Sequence, residues 1–339
     1  VEELKTMKHI TRLAALALSA SVFVAPALAQ DTVDIVYIPK NTGNPYFDSL
    51  VAGFEDACAE INCTFSQAAP ATAEATSQIP FITAQIQRGV DVIAISPNSP
   101  DALNQVLDRA RSRGILVLAV NGDLVDNESH RDAAVLPVDF TKTGPGQVEL
   151  LGSMIGYEGE IAILSATTDA PDQNTWIAAM EDSLENDPKY ANMSLVATVY
   201  GDDEPQKSTT EAEALLQTYP NLRGIISPTT VGVAAAAQVI QSAGKADTVK
   251  LTGLGTPNQM RPFIKDGTVE AFQLWSPYNE GWLAAHFAVG VKAGEISNEV
   301  GESFDVPKLG TVTILENNVM NTQAELTTFD SSNIDDFDF

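Results

Sequence analysis

The sequence is short of several things, and each shortage closes off a class of function. It contains two cysteines, Cys58 and Cys63, and three histidines, too few ligands of the right kind for a structural zinc site. Beyond the first thirty residues the histidines are His130 and His286, and neither lies near a cysteine in the chain. No G-x-S-x-G elbow occurs, and neither histidine has the context of a catalytic triad. Lys and Arg total 19 against 45 Asp and Glu, a formal net charge of −26. A field of that sign repels phosphate backbones and anionic headgroups, which excludes nucleic acid and membrane surfaces as partners. Past the N-terminal segment no uninterrupted apolar run approaches the roughly 18 residues of a membrane-spanning helix.

What is present is a chain of 339 residues that is 44% hydrophobic, enough for a large core and about two domains of ordinary size. From Met7, MKHITRLAALALSASVFVAPALAQ has the layout of a secretory signal: Lys8 and Arg12 ahead of an apolar run from Leu13 to Val24, then the small-x-small site Ala27-Leu28-Ala29. Residues 1–29 are therefore expected to be removed, with VEELKT ahead of Met7 set aside as upstream sequence. The exported protein would carry no lipid anchor, since no cysteine follows the cleavage site directly. In an oxidising compartment Cys58 and Cys63 are close enough in the chain to pair across a helix end and the start of the next strand.

β-Branched runs alternate with helical spacing twice over. VDIVYIP (33–39), INCTFSQ (61–67), VDVIAISP (90–97) and ILVLAVN (115–121) form one set; EIAILSA (160–166), SLVATVYG (194–201), LRGIISP (222–228) and VKLTGLG (249–255) form another. Their spacing of about 25–35 residues is that of a βα unit, and near-continuous apolar strands imply parallel sheets covered on both faces. PVDFTKTGPG (137–146) separates the sets and reads as an inter-domain crossing, with Gly144-Pro145-Gly146 as a loop in it. Further crossings are expected near Trp275 and 307–310, so that 31–138 with 276–308 form one lobe and 139–275 with 309–339 the other. The acidic tail, with Ile334 and two phenylalanines, is expected to dock on a lobe.

In open parallel sheets ligands bind beyond the carboxyl ends of the strands. There the sequence places Lys40, Asn41, Asn44, Tyr46 and Phe47 after the first strand, Asn121 and Asp123 after the fourth, and Asp172, Gln173 and Asn174 after the first strand of the second set. Later strand ends supply Pro228, Thr229, Thr230, Gly255 and Trp275. Aromatic faces beside carboxylates, amides, hydroxyls and one ammonium suit a sugar, whose C–H faces stack on rings while each hydroxyl both donates and accepts. A phosphate site would need a glycine-rich loop opening a helix, with its lysine. Asp123 and Asp172 could serve glycoside hydrolysis only if they came together from different lobes, and a Schiff-base Lys40 would lack a second catalytic group. The residues read as a binder, not an enzyme, with no cofactor and no metal.

IPKNTGNPYF, VDVIAISPNSPDAL, RSRGILVLAVNGD, ATTDAPDQNTW, IISPTTVGVAAAAQVI and LTGLGTPNQMRPF resemble the type I periplasmic sugar-binding proteins of ABC importers, in the ribose-binding class. Within it the sequence is most similar to the branch of rhamnose-binding proteins and autoinducer-2 receptors. The resemblance implies an α/β fold of two Rossmann-like lobes with parallel sheets, joined by three hinge crossings and enclosing a sugar. It also implies a monomer in the periplasm that passes a monosaccharide to a membrane permease. Through it, Lys40 matches a ligand-contacting lysine, Asn44-Tyr46-Phe47 an Asn and aromatic wall, and Asp172-Gln173 an acid–amide pair. Pro228 and Thr230 match a backbone-contact stretch in which Thr230 replaces an Ala; Asn121 replaces an Asp, and Asp123 is expected to take over that role. L-Rhamnose or a related 6-deoxy sugar is the expected ligand, with autoinducer-2 or another small polyol or pentose as the alternative. The same fold serves sugar-responsive repressors, but those carry an N-terminal DNA-binding headpiece where this sequence has a secretory signal.

Overall fold

The computed structural model describes residues 32–339; the signal segment expected at 1–29 lies outside them. The first βα set comprises β1 (Val33–Ile38), α1 (Pro45–Glu60), β2 (Cys63–Gln67), α2 (Ile79–Arg88), β3 (Val92–Ile95), α3 (Asn104–Arg111), β4 (Leu116–Val120) and β5 (Ala133–Leu136). The second runs through α4 (Phe140–Ile155), β6 (Glu158–Ser165), α5 (Pro171–Asn186), β7 (Asn192–Tyr200), α6 (Pro205–Thr218), β8 (Leu222–Ser227), α7 (Thr230–Ser242), β9 (Lys250–Gly253), α8 (Pro257–Lys265) and β10 (Ala271–Leu274). α9 (Pro277–Ala293), β11 (Ser303–Val306), β12 (Gly310–Thr313), β13 (Val319–Asn321) and β14 (Thr327–Asp330) complete the chain. No helix among the described residues is long and apolar enough to cross a membrane.

The first sheet has the order β13-β5-β4-β3-β1-β2 and the second β7-β6-β8-β9. A bridge from Leu254 to Gln273 continues the second sheet to β10, which pairs antiparallel with β14. Both sheets thus repeat one doubly wound order, and each reverses direction beside its first strand, between β1 and β3 and between β6 and β8. Strands β3, β4 and β5 are buried along their whole length, as parallel strands covered on both faces must be. Pro45, Pro171, Pro205, Pro257 and Pro277 are each the first residue of a helix, where a missing N–H costs nothing and φ is already helical. Each of these helices therefore starts sharply after its strand and fixes which side chains sit at the strand end.

One strand was unforeseen and two expectations need correction. β5 lies just ahead of the 137–146 stretch and is too short to stand out in the sequence. Gly144-Pro145-Gly146 is not a loop but lies inside α4; a Cβ on Gly144 would come within 2.4 Å of the Trp176 carbonyl oxygen, so this glycine permits α4 to press on α5. The change of sheet expected at 307–310 falls later, because β11 and β12 form a hairpin and β13 pairs parallel with β5. The strand pairing puts the three crossings at 137–139, 275–276 and 322–326, and β13, expected in the second lobe, pairs with the first sheet. The tail docks as expected: Ile334 is buried, Phe329 stacks on Phe272 at 5.1 Å, and Phe337 and Phe339 set their edges against Phe329.

Cys58 and Cys63 are bonded, closing the end of α1 onto β2. The protein should accordingly show no free thiol when denatured without reductant, and two titratable thiols in that assay would contradict the bridge. The α1–α9 contact depends on glycine: a Cβ on Gly281 would lie 2.1 Å from the Leu50 carbonyl oxygen and one on Gly53 2.0 Å from that of Tyr278. Overpacking of this kind costs about 1–3 kcal/mol, so Gly281→Ala should lower the unfolding free energy by about that amount and with it the denaturation midpoint. A midpoint equal to wild type would mean that the helices can part freely.

Candidate functional site

Because the two sheets share one winding order, their two reversal points face each other, and the residues just beyond β1 and β6 meet. The Lys40 ammonium donates to both carboxylate oxygens of Asp172, at 2.6 and 2.7 Å, with both residues almost wholly buried. Thr230, at the start of α7, donates to Asn44 Oδ1 at 3.0 Å, and the same oxygen caps α1 by accepting from the Tyr46 N–H. The loop after β1 is itself pinned: Asn98 donates to the Lys40 carbonyl, and Gln78 donates to the Pro39 and Ser96 carbonyls.

Around this junction lies a cavity with about 350 Å³ free of protein atoms, part of it open to solvent. Of the expected residues it gathers Lys40, Asn44, Tyr46, Phe47, Asn121, Asp172, Gln173, Pro228, Thr229, Thr230 and Trp275. Four do not line it. Asn41 is buried nearby; Asn174 is exposed and donates to the Thr168 carbonyl; Gly255 packs against Met260, Phe272 and Val233. Asp123, expected to replace a missing carboxylate, accepts from both Nε and Nη2 of the Arg131 guanidinium, so its charge is already spent. Asn121 itself has φ of +69°, a left-handed conformation that Asn tolerates better than most residues.

The sequence reading missed Trp176, Asp203, Leu254 and Leu274, which also line the cavity. Trp176 lies four residues after Asp172 in α5, hence on the same helix face, and that spacing could have revealed it. Asp203 follows β7 and was open to the same strand-end rule. Its carboxyl accepts from Thr229 Oγ1, and burial is the main reason it is held above the ordinary carboxylate range. Rings of Phe47, Tyr46, Trp275 and Trp176 form a continuous wall, with centroids 5.4, 6.4 and 5.8 Å apart in succession. Gln173 supports instead of reaching: Oε1 accepts from Ser165 and Nε2 donates to the Pro228 carbonyl at 2.6 Å, tying the end of β6 to that of β8. The indole N–H of Trp176 is buried without a hydrogen-bond partner.

The profile of the periplasmic binding protein domain matches residues 35–296. The chain belongs to the periplasmic binding protein family. It is 39% identical to a sugar ABC transporter protein of Actinomyces odontolyticus, over 92% of this chain and 99% of that one, with a TM-score of 0.73. An ABC transporter solute-binding protein of Clostridium phytofermentas, solved with bound L-rhamnose, is 33% identical over 90% of this chain and 98% of its own, with a TM-score of 0.85. The D-ribose/D-allose-binding protein of Pseudomonas aeruginosa is 27% identical over 58% of this chain, and the match spans 62% of that protein. These relatives are named as transport and binding proteins rather than enzymes, in line with the lack of catalytic motifs.

In this periplasmic binding protein the Lys40–Asp172 pair should behave as a buried couple. Removing one member strands the other, at a typical cost of about 3–5 kcal/mol. Lys40→Met and Asp172→Leu should each lower stability by that order, whereas the double variant should lose markedly less than their sum. Additive losses in chemical denaturation would show that the two charges do not depend on each other.

Proposed function

We propose that the protein is an exported receptor that captures a neutral monosaccharide between its two lobes and delivers it to the membrane permease of an ABC importer. A 6-deoxyhexose, L-rhamnose first, is the ligand this reading favours. The observation that carries it is the composition of the cavity: an aromatic wall faces a set of polar strand ends, and its one cation, Lys40, is already engaged by Asp172. An anionic ligand would meet Asp172 and Asp203 with no unpaired cation to balance it, so a neutral polyol fits best. The L-rhamnose-bound relative supports the choice within that class. Autoinducer-2 or a pentose, also neutral polyols, are the alternatives.

Since Lys40, Asn44 and Tyr46 come from one sheet and Asp172, Asp203 and Thr230 from the other, a ligand touching both gains its full interaction only when the lobes are closed. Binding then shifts the population toward the closed form, and the permease would read that form. The secretory signal expected at 1–29 supports the periplasm as the place of this work.

A thermal-shift screen across L-rhamnose, L-fucose, D-ribose, D-xylose, erythritol and autoinducer-2 tests the reading. Ligand at a hundredfold over its Kd adds about 2.7 kcal/mol to folded stability, and the ligand that does so should also compact the protein in solution scattering. Stabilisation by autoinducer-2 alone would replace the ligand but keep the receptor; no stabilisation by any neutral polyol would overturn the proposal.

A further inference from the structure

Behind the aromatic wall lies a group that the sugar site does not obviously require. Glu280, in the first turn of α9, is completely buried and does not line the cavity. Its Oε1 accepts a hydrogen bond from the Tyr46 hydroxyl, while its Oε2 has no partner. The same hydroxyl receives Asn121 Nδ2 at 2.7 Å and Trp275 Nε1 at 2.6 Å. A phenol has one hydrogen to give and two positions at which to accept, and an indole or amide N–H can only donate. The two donors fill both accepting positions, so the phenolic hydrogen must go to Glu280. Every polar site on the Tyr46 hydroxyl is then used within the protein, and the single polar atom of Trp275 is used with it.

We propose that Glu280 is a positioning residue that turns the Tyr46 hydroxyl toward the protein interior, so that the Tyr46–Trp275 wall meets a sugar through ring carbon and takes a methyl group in preference to a hydroxymethyl. The inference rests on the sugar-binding reading of the cavity and sharpens it into a rule for one substituent. Placement of the acid is rigid: Gly281, the next residue, lets α9 press against the Leu50 carbonyl of α1, and Tyr46 is the second residue of that same α1.

The un-ionised form of Glu280 suits this role. Burial pushes its carboxyl well above the ordinary carboxylate range, outweighing the hydrogen bond from Tyr46, and the nearby charge of Asp172 adds to the push. The other titratable groups around it are Asp172, which is held by Lys40, and Tyr37, whose hydroxyl is paired with Ser96. An acid whose folded-state pKa is raised contributes stability at low pH that is lost as pH rises through the raised value.

The test uses the full exported chain and sugar pairs that differ only in a methyl against a hydroxymethyl: L-rhamnose with L-mannose, and L-fucose with L-galactose. Calorimetry on wild type should favour the 6-deoxy member of the bound pair. Glu280→Leu, which frees the phenolic hydrogen, should weaken that sugar about tenfold and shrink the methyl preference at least fivefold, and Glu280→Gln, which keeps the acceptor, should restore the preference. If Glu280→Leu does not fold, Glu280→Met takes its place. A ligand-free readout is independent of the sugar: the melting temperature of wild type relative to Glu280→Gln should fall between pH 5 and pH 9, with Asp203 common to both proteins. A difference constant with pH, or a methyl preference unchanged in Glu280→Leu, would overturn the role of Glu280. Failure of all four sugars to bind wild type while the pH-dependent difference persists would overturn the sugar reading and the methyl rule, leaving only the orientation of Tyr46.

Discussion

The ion pair between Lys40 and Asp172 is the contact on which the arrangement of this molecule turns. Two sheets with the same winding order each leave a crevice where the order reverses, and the pair joins one crevice to the other across the interface. Neither charge has enough water around it to stand alone, so each stabilises the other only while the two strand ends are together. The surrounding contacts follow from that meeting. Thr230 can reach Asn44 and the rings can form one wall because the ends of β1 and β6 have been brought to the same place.

Around this pair the polar groups divide into those already committed to the protein and those still open. Gln173, Asn98 and Gln78 use their amides to hold strand ends and loops in position. Asp123, though near the end of β4, is neutralised by Arg131. The Trp176 N–H, by contrast, is buried without a partner. Buried polar groups cost free energy unless paired.

Much of the fold could be read from the chain because parallel strands covered on both faces leave unbroken apolar runs, and eight of these were visible as two sets. What escaped did so for physical reasons. β5 is four residues long and adjoins a proline-containing stretch; α4 hides a Gly-Pro-Gly that looks like a loop but serves close helix packing and tolerates a missing N–H. The last crossing was misplaced because a hairpin strand such as β12 has the same composition as a sheet strand. At the site, the strand-end rule identified most of the lining but could not tell Asp172, which faces the cavity, from Asp123, whose partner Arg131 lies eight residues on. Glu280 gave no signal at all, since a carboxylate in the first turn of a helix is commonplace on dipole grounds and only the three-dimensional contact with Tyr46 distinguishes it.

The late position of β13 and β14 also bears on how the protein comes into being. β13 is the outer strand of the first sheet and β14 pairs with β10 beside the second, so both sheets stay incomplete until residues 319–330 have been synthesised. Contacts of such long sequence separation form slowly. A nascent chain therefore emerges with both cores unfinished, and neither half can close until its last strand has been made.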